Sequence, residues 1–169
     1  FAAQRRLTWS RSMDYVRAGR LNLLVLRTFS KAHGLAGLRV GYGCGHPELL
    51  QYFARLRNSF SVSVAAEAGA LAALQDQAHI RKTVENNAAG AAWLSSQLSD
   101  LQLRAVPTSA NFTYVETEDD AGSVAKRMQA EGIIIRSLAP WGIPKGLRAT
   151  IGTPEQNQRF IEALRKVTS

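Results

Sequence analysis

The chain has 169 residues, 46% of them hydrophobic and 20% charged, which is enough for an ordinary domain with a buried core. Its single cysteine, Cys44, excludes an internal disulfide and any cysteine-rich zinc site. The net charge of +8 is a reason to consider nucleic acid as a partner. The basic residues are not interleaved with aromatic ones, however, which argues against nucleic-acid binding. No apolar run is long enough to span a membrane, and no signal peptide is evident, so we expect a cytoplasmic protein.

The first part of the chain alternates short apolar runs with helical patterns. Residues 4–18 are polar with spaced apolar side chains, typical of a surface helix or loop. The apolar run 21–29 predicts a strand buried on both faces of a parallel sheet. Residues 38–45 predict the next strand, with three glycines that allow close backbone approach. Pro47 then opens a predicted helix.

The second part begins with a long helical region and ends in alternating strands and helices. Residues 65–98 are rich in Ala and Leu and predict two helices or one long bent helix. Residues 101–167 predict the order strand, strand, helix, strand, strand, helix, with Gly132 closing the first of these helices. We therefore predict an α/β protein with one unit in residues 1–98 and a small α+β domain in residues 99–169.

The chemically most informative stretch is residues 27–42. Lys31 directly follows the first predicted strand, at the strand end where open α/β sheets place their ligands. A partly desolvated lysine there acts as an amine nucleophile. Thr28 and Ser30 place hydroxyls beside it, and Arg39 offers a planar fork suited to phosphate. A pyridoxal 5′-phosphate (PLP) enzyme requires this combination, but the spacing alone fits an ordinary strand–turn–strand with solvated side chains equally well.

The segment TFSKAHGLAGLRVGY resembles the cofactor-lysine motif of the class I and II aminotransferases of fold type I, nearest the histidinol-phosphate aminotransferase branch. The similarity continues in order through GHPELL, the Ala-rich helices, PTSANFTYVE, EGIIIRSL and GLRATIGTPEQNQRFIEAL, and so covers residues 20–167. The resemblance implies the C-terminal half of such a fold. Residues 1–98 would be part of the large PLP-binding domain with bridging helices, and residues 99–169 the small domain.

The resemblance assigns the cofactor site residue by residue. Lys31 matches the lysine that binds PLP covalently and moves the proton during transfer. Ser30 and Arg39 match ligands of the cofactor phosphate, and Thr28 joins them.

The resemblance also assigns two substrate arginines. Arg148 matches the arginine that clamps the substrate α-carboxylate, a group suited to a two-pronged guanidinium. Arg136 matches a second substrate arginine that can face a side-chain phosphate, with a sheet-surface ion pair as the alternative. Trp141, between them in sequence, either lines the substrate side or packs its loop, and we interpret Asn111 as structural.

The histidines and the cysteine receive a structural interpretation. We expect His33, two residues after Lys31, to pack rather than to exchange protons. His46 and His79 have no cysteine or acidic partners at metal spacing, so no metal site is predicted. Cys44 is expected to be a small packed side chain.

As an activity, the resemblance implies ping-pong amino transfer with PLP as cofactor. Histidinol phosphate is the leading amino donor and 2-oxoglutarate the acceptor, in histidine biosynthesis, by a full-length homodimer. Alternatives of the same fold are an aromatic or other amino-acid aminotransferase and a phospho-amino-acid decarboxylase. An inactive truncated binding or dimerisation module is the non-enzymatic alternative.

Members of the family are about twice as long as this chain, which exceeds one ordinary domain. We expect the remaining part to be N-terminal, with Phe1 and Ala2 following the segment that holds the aspartate partner of the cofactor ring. The 169 residues alone are therefore expected to be inactive, and the strand edges of a half sheet are expected to favour aggregation.

Overall fold

Residues 11–168 are described by the computed structural model, and they divide into two units between Ile80 and Arg81. The interpretations of residues 1–10, including the Phe1-Ala2 pair, lie outside the described residues. The division differs from the boundary predicted at residue 98. Leu94 and Leu98, near the end of the long helix, are fully buried in the core of the second unit, so much of that helix belongs to this unit.

The first unit holds a two-stranded sheet and three helices. Its first strand, β1 (Leu24–Thr28), ends just before the Lys31 turn, and its second strand, β2 (Gly41–Gly45), leads through His46 into a helix opened by Pro47. In chain order its elements are α1 over 11–17, β1 Leu24–Thr28, a 3-10 turn Ala36–Leu38, β2 Gly41–Gly45, α2 Pro47–Leu56 and α3 Val64–Gln75.

The prediction that residues 21–29 form a parallel strand buried on both faces is wrong. β1 pairs antiparallel with β2, from Leu24 opposite Gly45 to Thr28 opposite Gly41, and only Val25 of its five residues is buried. Residues 29–40 between the strands contain a single 3-10 turn and no helix that could make a parallel crossover. The predicted close approach at a glycine is confirmed, because a Cβ on Gly41 would lie 2.6 Å from the carbonyl oxygen of Arg27.

A small core fixes the segment between β1 and β2. Phe29 and Val40 are buried at its two ends, and the Phe29 N–H donates to the Val40 carbonyl at 3.2 Å. The Leu35 N–H returns to the Phe29 carbonyl at 3.0 Å. Ala66 and Ala70 of α3 complete this core, so the lysine turn is anchored by packing on one helix.

The second unit has the predicted α+β composition, with a sheet packed on helices. Its elements are α4 Gln77–Asp100, which crosses the division, β3 Arg104–Val106, β4 Phe112–Glu116, α5 Ala121–Ala130, β5 Arg136–Ser137, a 3-10 turn Ala139–Trp141, β6 Gly146–Thr150 and α6 Pro154–Thr168. The sheet is antiparallel, with the strand order β3-β4-β6-β5. The long Ala-rich region forms two helices, α3 and α4, and Gly132 follows α5 with a φ of 77°.

The two faces of this sheet differ because side chains alternate along each strand. One face packs on the helices and forms the core, for example through Val115 and Leu147, which are fully buried. The opposite face carries Tyr114, Arg148 and Arg136, one from each of three neighbouring strands. This second face therefore carries the candidate substrate arginines. Within the described part of the chain, no helix is both long and apolar enough to cross a bilayer.

Candidate active site

Lys31 lies in the turn that follows β1. The buried Phe29 anchors the start of the turn, and the Gly34 N–H closes it on the Lys31 carbonyl at 2.9 Å. Gly34 has a φ of 71°, a conformation that favours glycine. The Lys31 side chain is exposed, so the expected partial desolvation is wrong for the described chain.

A pair of hydroxyls stands directly before this lysine. The Thr28 Oγ1 donates to Ser30 Oγ at 2.9 Å and accepts from the Ser30 backbone N–H at 3.1 Å. Because Ser30 Oγ is the acceptor in this pair, its own proton can be donated to a further group. The structure thus brings two of the predicted site residues together and leaves a donor available beside Lys31.

Arg39 occupies an unusual backbone position at the end of the 3-10 turn. Its φ of 55° and ψ of 45° are left-handed, a region that non-glycine residues rarely adopt. One guanidinium nitrogen donates to the Ala36 carbonyl at 2.7 Å, while the side chain stays exposed. A guanidinium has five N–H donors, so several remain for an anion. Among residues 11–168, no acidic side chain forms an ion pair with Arg39.

The rings of His33 and Tyr42 both lie close to the buried Phe29. The His33 ring lies 4.8 Å from that of Phe29, and the Tyr42 ring lies 5.9 Å from it. The buried Nδ1 of His33 has no hydrogen-bond partner among residues 11–168. His79 contacts the Ala32 carbonyl through Nε2 at 3.1 Å, a link across 47 residues that no local sequence signal reveals. The packing expected of His33 is observed, and His79 is a supporting residue that sequence reasoning missed.

Two arginines share the open face of the second sheet. Arg136 on β5 lies directly opposite Arg148 on β6, so both side chains are on the same face. The Arg148 guanidinium carbon is 5.0 Å from the centroid of the Phe112 ring, and that of Arg136 is 5.6 Å from the Trp141 ring. Neither arginine has an ion-pair partner in the described part of the chain, so the ion pair considered for Arg136 is not found there.

This absence of a carboxylate contrasts with the rim of the same sheet, where Arg104 is paired with Glu116 at 3.0 Å. Like charges directly opposite each other on two strands are unfavourable. Two unneutralised guanidinium groups in that arrangement can bind an anion, since a guanidinium recognises carboxylate and phosphate with two parallel hydrogen bonds.

The remaining candidate residues have structural roles. The Asn111 carbonyl accepts from the Ile151 N–H at 3.0 Å, which ties β4 to the end of β6. His46 caps α2, accepting from the Glu48 N–H at 3.4 Å. Cys44 is a free, half-buried thiol. No group of three potential metal ligands occurs among the residues that the structure describes.

Comparison with known proteins identifies the wider family to which these features correspond. The family model described as aminotransferase class I and II matches residues 4–164. The chain is 47% identical to the histidinol-phosphate aminotransferase of Moorella thermoacetica over 156 residues, which are 92% of this chain and 40% of that protein. It is also 47% identical to histidinol-phosphate aminotransferase 2 of Ralstonia nicotianae over 146 residues, 85% of this chain and 39% of that one.

Solved structures show the same fold. A histidinol-phosphate aminotransferase from Sinorhizobium meliloti in complex with pyridoxal-5′-phosphate matches with a TM-score of 0.76 and 32% identity, over 88% of this chain and 41% of that one. A putative histidinol-phosphate aminotransferase from Erwinia carotovora atroseptica matches with a TM-score of 0.84 and 28% identity, over 90% and 44% of the two chains. The predicted fold class is thereby confirmed, and the chain spans about two fifths of the length of these relatives.

Proposed function

The chain belongs to the class I and II aminotransferase family, and on that premise we propose that the protein containing it is a PLP-dependent aminotransferase. The observation that carries the proposal is the lysine turn, with an exposed Lys31 directly after a hydroxyl pair. The left-handed Arg39 adds to it, because an unfavourable backbone conformation at a non-glycine residue points to a need for that side chain. Activity is proposed for the longer protein, since the chain spans 40% of its Moorella relative.

The residues present fit PLP by the chemistry of their donors. A phosphate needs several N–H or O–H donors, and Ser30 and Arg39 each keep donors that the described residues do not use. Thr28 holds the Ser30 hydroxyl by accepting from its backbone and donating to its oxygen. When bound, PLP supplies an aldehyde that reacts with amines and a ring that accepts electron density.

The chain's own residues then perform the remaining tasks. The Lys31 amine holds the cofactor between turnovers and moves the proton at the substrate's α-carbon. Ser30 and Arg39 bind the cofactor phosphate and so fix the distance between Lys31 and the reacting carbon. Arg148 would bind the α-carboxylate of the keto acid, and Arg136 would bind the phosphate of the amino donor, which carries no carboxylate if it is histidinol phosphate.

For the substrates, we propose histidinol phosphate as amino donor and 2-oxoglutarate as acceptor, which places the protein in histidine biosynthesis. The names of the relatives at 47% identity support this choice. So does the pair of unneutralised arginines on β5 and β6, because both substrates are anionic. The family resemblance further suggests a cytoplasmic homodimer as the full-length form.

The first test replaces Lys31 in the full-length protein that contains this chain. We expect Lys31→Ala to abolish the covalent PLP adduct trapped by borohydride and to lower turnover at least about a hundredfold, as for loss of a general acid–base group. Lys126→Ala, on the exposed surface of α5, removes the same charge and should behave as the wild type. An adduct of wild-type yield in Lys31→Ala would contradict the proposal.

The second test addresses the substrate. Arg136→Ala should lower kcat/KM for histidinol phosphate about 10- to 100-fold, the loss expected for a charge-assisted hydrogen bond. The loss for an unphosphorylated aromatic amino acid should be much smaller. An equal loss for both donors would favour an aromatic or other aminotransferase of the same fold.

A further inference from the structure

Trp141 contacts the Arg136 guanidinium and is not a core residue. Its indole lies 5.6 Å from the Arg136 guanidinium carbon, while 59% of the side chain is exposed. A large aromatic side chain left this exposed buries little apolar surface, so packing of the loop does not explain it. The contact with Arg136 is the specific interaction that the structure gives it.

The backbone around Trp141 is tied to the sheet. The Leu138 N–H donates to the Gly146 carbonyl of β6 at 2.8 Å, and the Ile143 N–H closes the turn on the Leu138 carbonyl at 3.2 Å. Within the turn, the Trp141 N–H donates to the same carbonyl at 2.9 Å, and Gly142 follows with a φ of 78°. Because the turn is held at both ends, the backbone that carries the indole is fixed relative to the sheet.

The positive charges on the open face of the sheet indicate how the indole of Trp141 can act on Arg136. Arg136 lies directly opposite Arg148, and no carboxylate in residues 11–168 neutralises either of them. Repulsion between the two guanidinium groups would drive the exposed Arg136 side chain away from the sheet. The face of an indole attracts a cation, and it does so without occupying the N–H donors at the edge of the guanidinium.

We propose that Trp141 is a positioning residue that holds Arg136 over the open face of the sheet, with its donors directed to a phosphate of the substrate. This inference rests on the proposed function, in which Arg136 binds the phosphate of the amino donor. It adds that the affinity for a phosphorylated amine depends on an aromatic ring at position 141. A carboxylate partner for Arg136 would fix the arginine but would compete with the substrate; the indole fixes it without that competition.

The test compares three substitutions at this position in the full-length enzyme. Trp141→Leu keeps apolar bulk without a ring, whereas Trp141→Phe and Trp141→Tyr keep an aromatic face. We expect Trp141→Leu to raise KM for histidinol phosphate about two- to fivefold, the range of an exposed cation–π contact, with a smaller change in kcat. The Phe and Tyr variants should restore most of the affinity. A loss as large in the Phe variant as in the Leu variant would overturn the inference.

A double-mutant cycle with Arg136→Ala separates positioning from a general structural effect. If Trp141 acts through Arg136, Trp141→Leu should have no further effect on KM once Arg136 is alanine. The same rise in KM in both backgrounds would overturn the inference, while Lys31-dependent turnover in those proteins would leave the proposed function standing.

Binding is also measured without turnover, with inorganic phosphate as the probe and tryptophan emission as the signal. We expect phosphate to change the emission of the wild-type protein, and this change to be lost in both Trp141→Phe and Arg136→Ala. An emission change that persists in Trp141→Phe, or no change in the wild type, would contradict a phosphate site at this pair.

Discussion

Gly41 shows how one residue fixes the geometry of the lysine segment. A Cβ at this position would lie 2.6 Å from the carbonyl oxygen of Arg27, a backbone atom that cannot move aside alone. We expect Gly41→Ala to lower the free energy of unfolding by about 1–3 kcal/mol, the usual cost of overpacking. Gly37→Ala is the matched control, because a Cβ there meets nothing within 4 Å. Urea unfolding of the full-length protein measures both, and equal stabilities would refute the steric argument.

At the scale of single residues, the sequence predicted several local features around Lys31 correctly. The hydroxyl pair before Lys31 and the packing of His33 on Phe29 depend on near neighbours in the chain, whereas the close approach of Gly41 to Arg27 depends on the pairing of β1 with β2. The exposure of the Lys31 side chain and the contact between Trp141 and Arg136 depend on the three-dimensional arrangement of the elements. The spacing of residues along the chain therefore does not predict them. The roles of Lys31 and the arginines stay predictions until the variants are measured.

Among the elements, α6 begins with a reciprocal capping arrangement. The Thr153 hydroxyl accepts from the Gln156 N–H at 3.3 Å, and the Gln156 side chain accepts from the Thr153 N–H at 2.9 Å. The same Thr153 side chain, followed by the backbone N–H of Glu155 itself, lowers the pKa of the Glu155 carboxyl. A carboxylate in the first turn is also favoured by the helix dipole.

This arrangement predicts a pH dependence. Because the pKa of Glu155 is lower in the folded state, its contribution to stability is present above the usual glutamate pKa and is lost as the pH falls through the folded value. Thr153→Ala should raise the pKa of Glu155 toward its usual value, and Thr153→Ser, which keeps the hydroxyl, should not. An NMR titration of the Glu155 carboxyl carbon measures this, and an unchanged midpoint in Thr153→Ala would exclude the hydrogen bond as the cause.

Also among the elements, periodicity predicted the order of helices and strands along the chain in the second unit, because each has a clear apolar face or start signal, but it did not predict the order of the strands in the sheet. Pro47 and Pro154 open helices, and Gly132 follows one. The pairing of β1 was predicted incorrectly, since an apolar run specifies burial and not the direction of its neighbour. The pattern of the long helix does not show which core it enters, and the structure places its Leu98 in the core of the second unit.

For the whole molecule, the main unexplained feature is apolar exposure in residues 52–74. Phe60 is 100% exposed, Val64 84% and Leu56 80%, and several of their neighbours on α2 and α3 are exposed as well. Large apolar side chains exposed this close together in the chain are candidates for a contact surface or an aggregation liability. In addition, both strands of the first sheet are edge strands within the described residues, and edge strands are templates for pairing with other chains.

We therefore predict that the 169-residue chain, produced alone, self-associates through this apolar segment. Light scattering after size-exclusion chromatography should give a mass above that of one chain, increasing with concentration. Replacing Leu56 and Phe60 by lysine should shift the mass toward the monomer, because charged side chains oppose burial of that surface. Ile134→Lys, at an 86% exposed position in the second unit, should leave the mass unchanged. A monomer at all concentrations would show that these side chains do not drive association, and equal effects of the two sets of lysines would point to net charge as the cause.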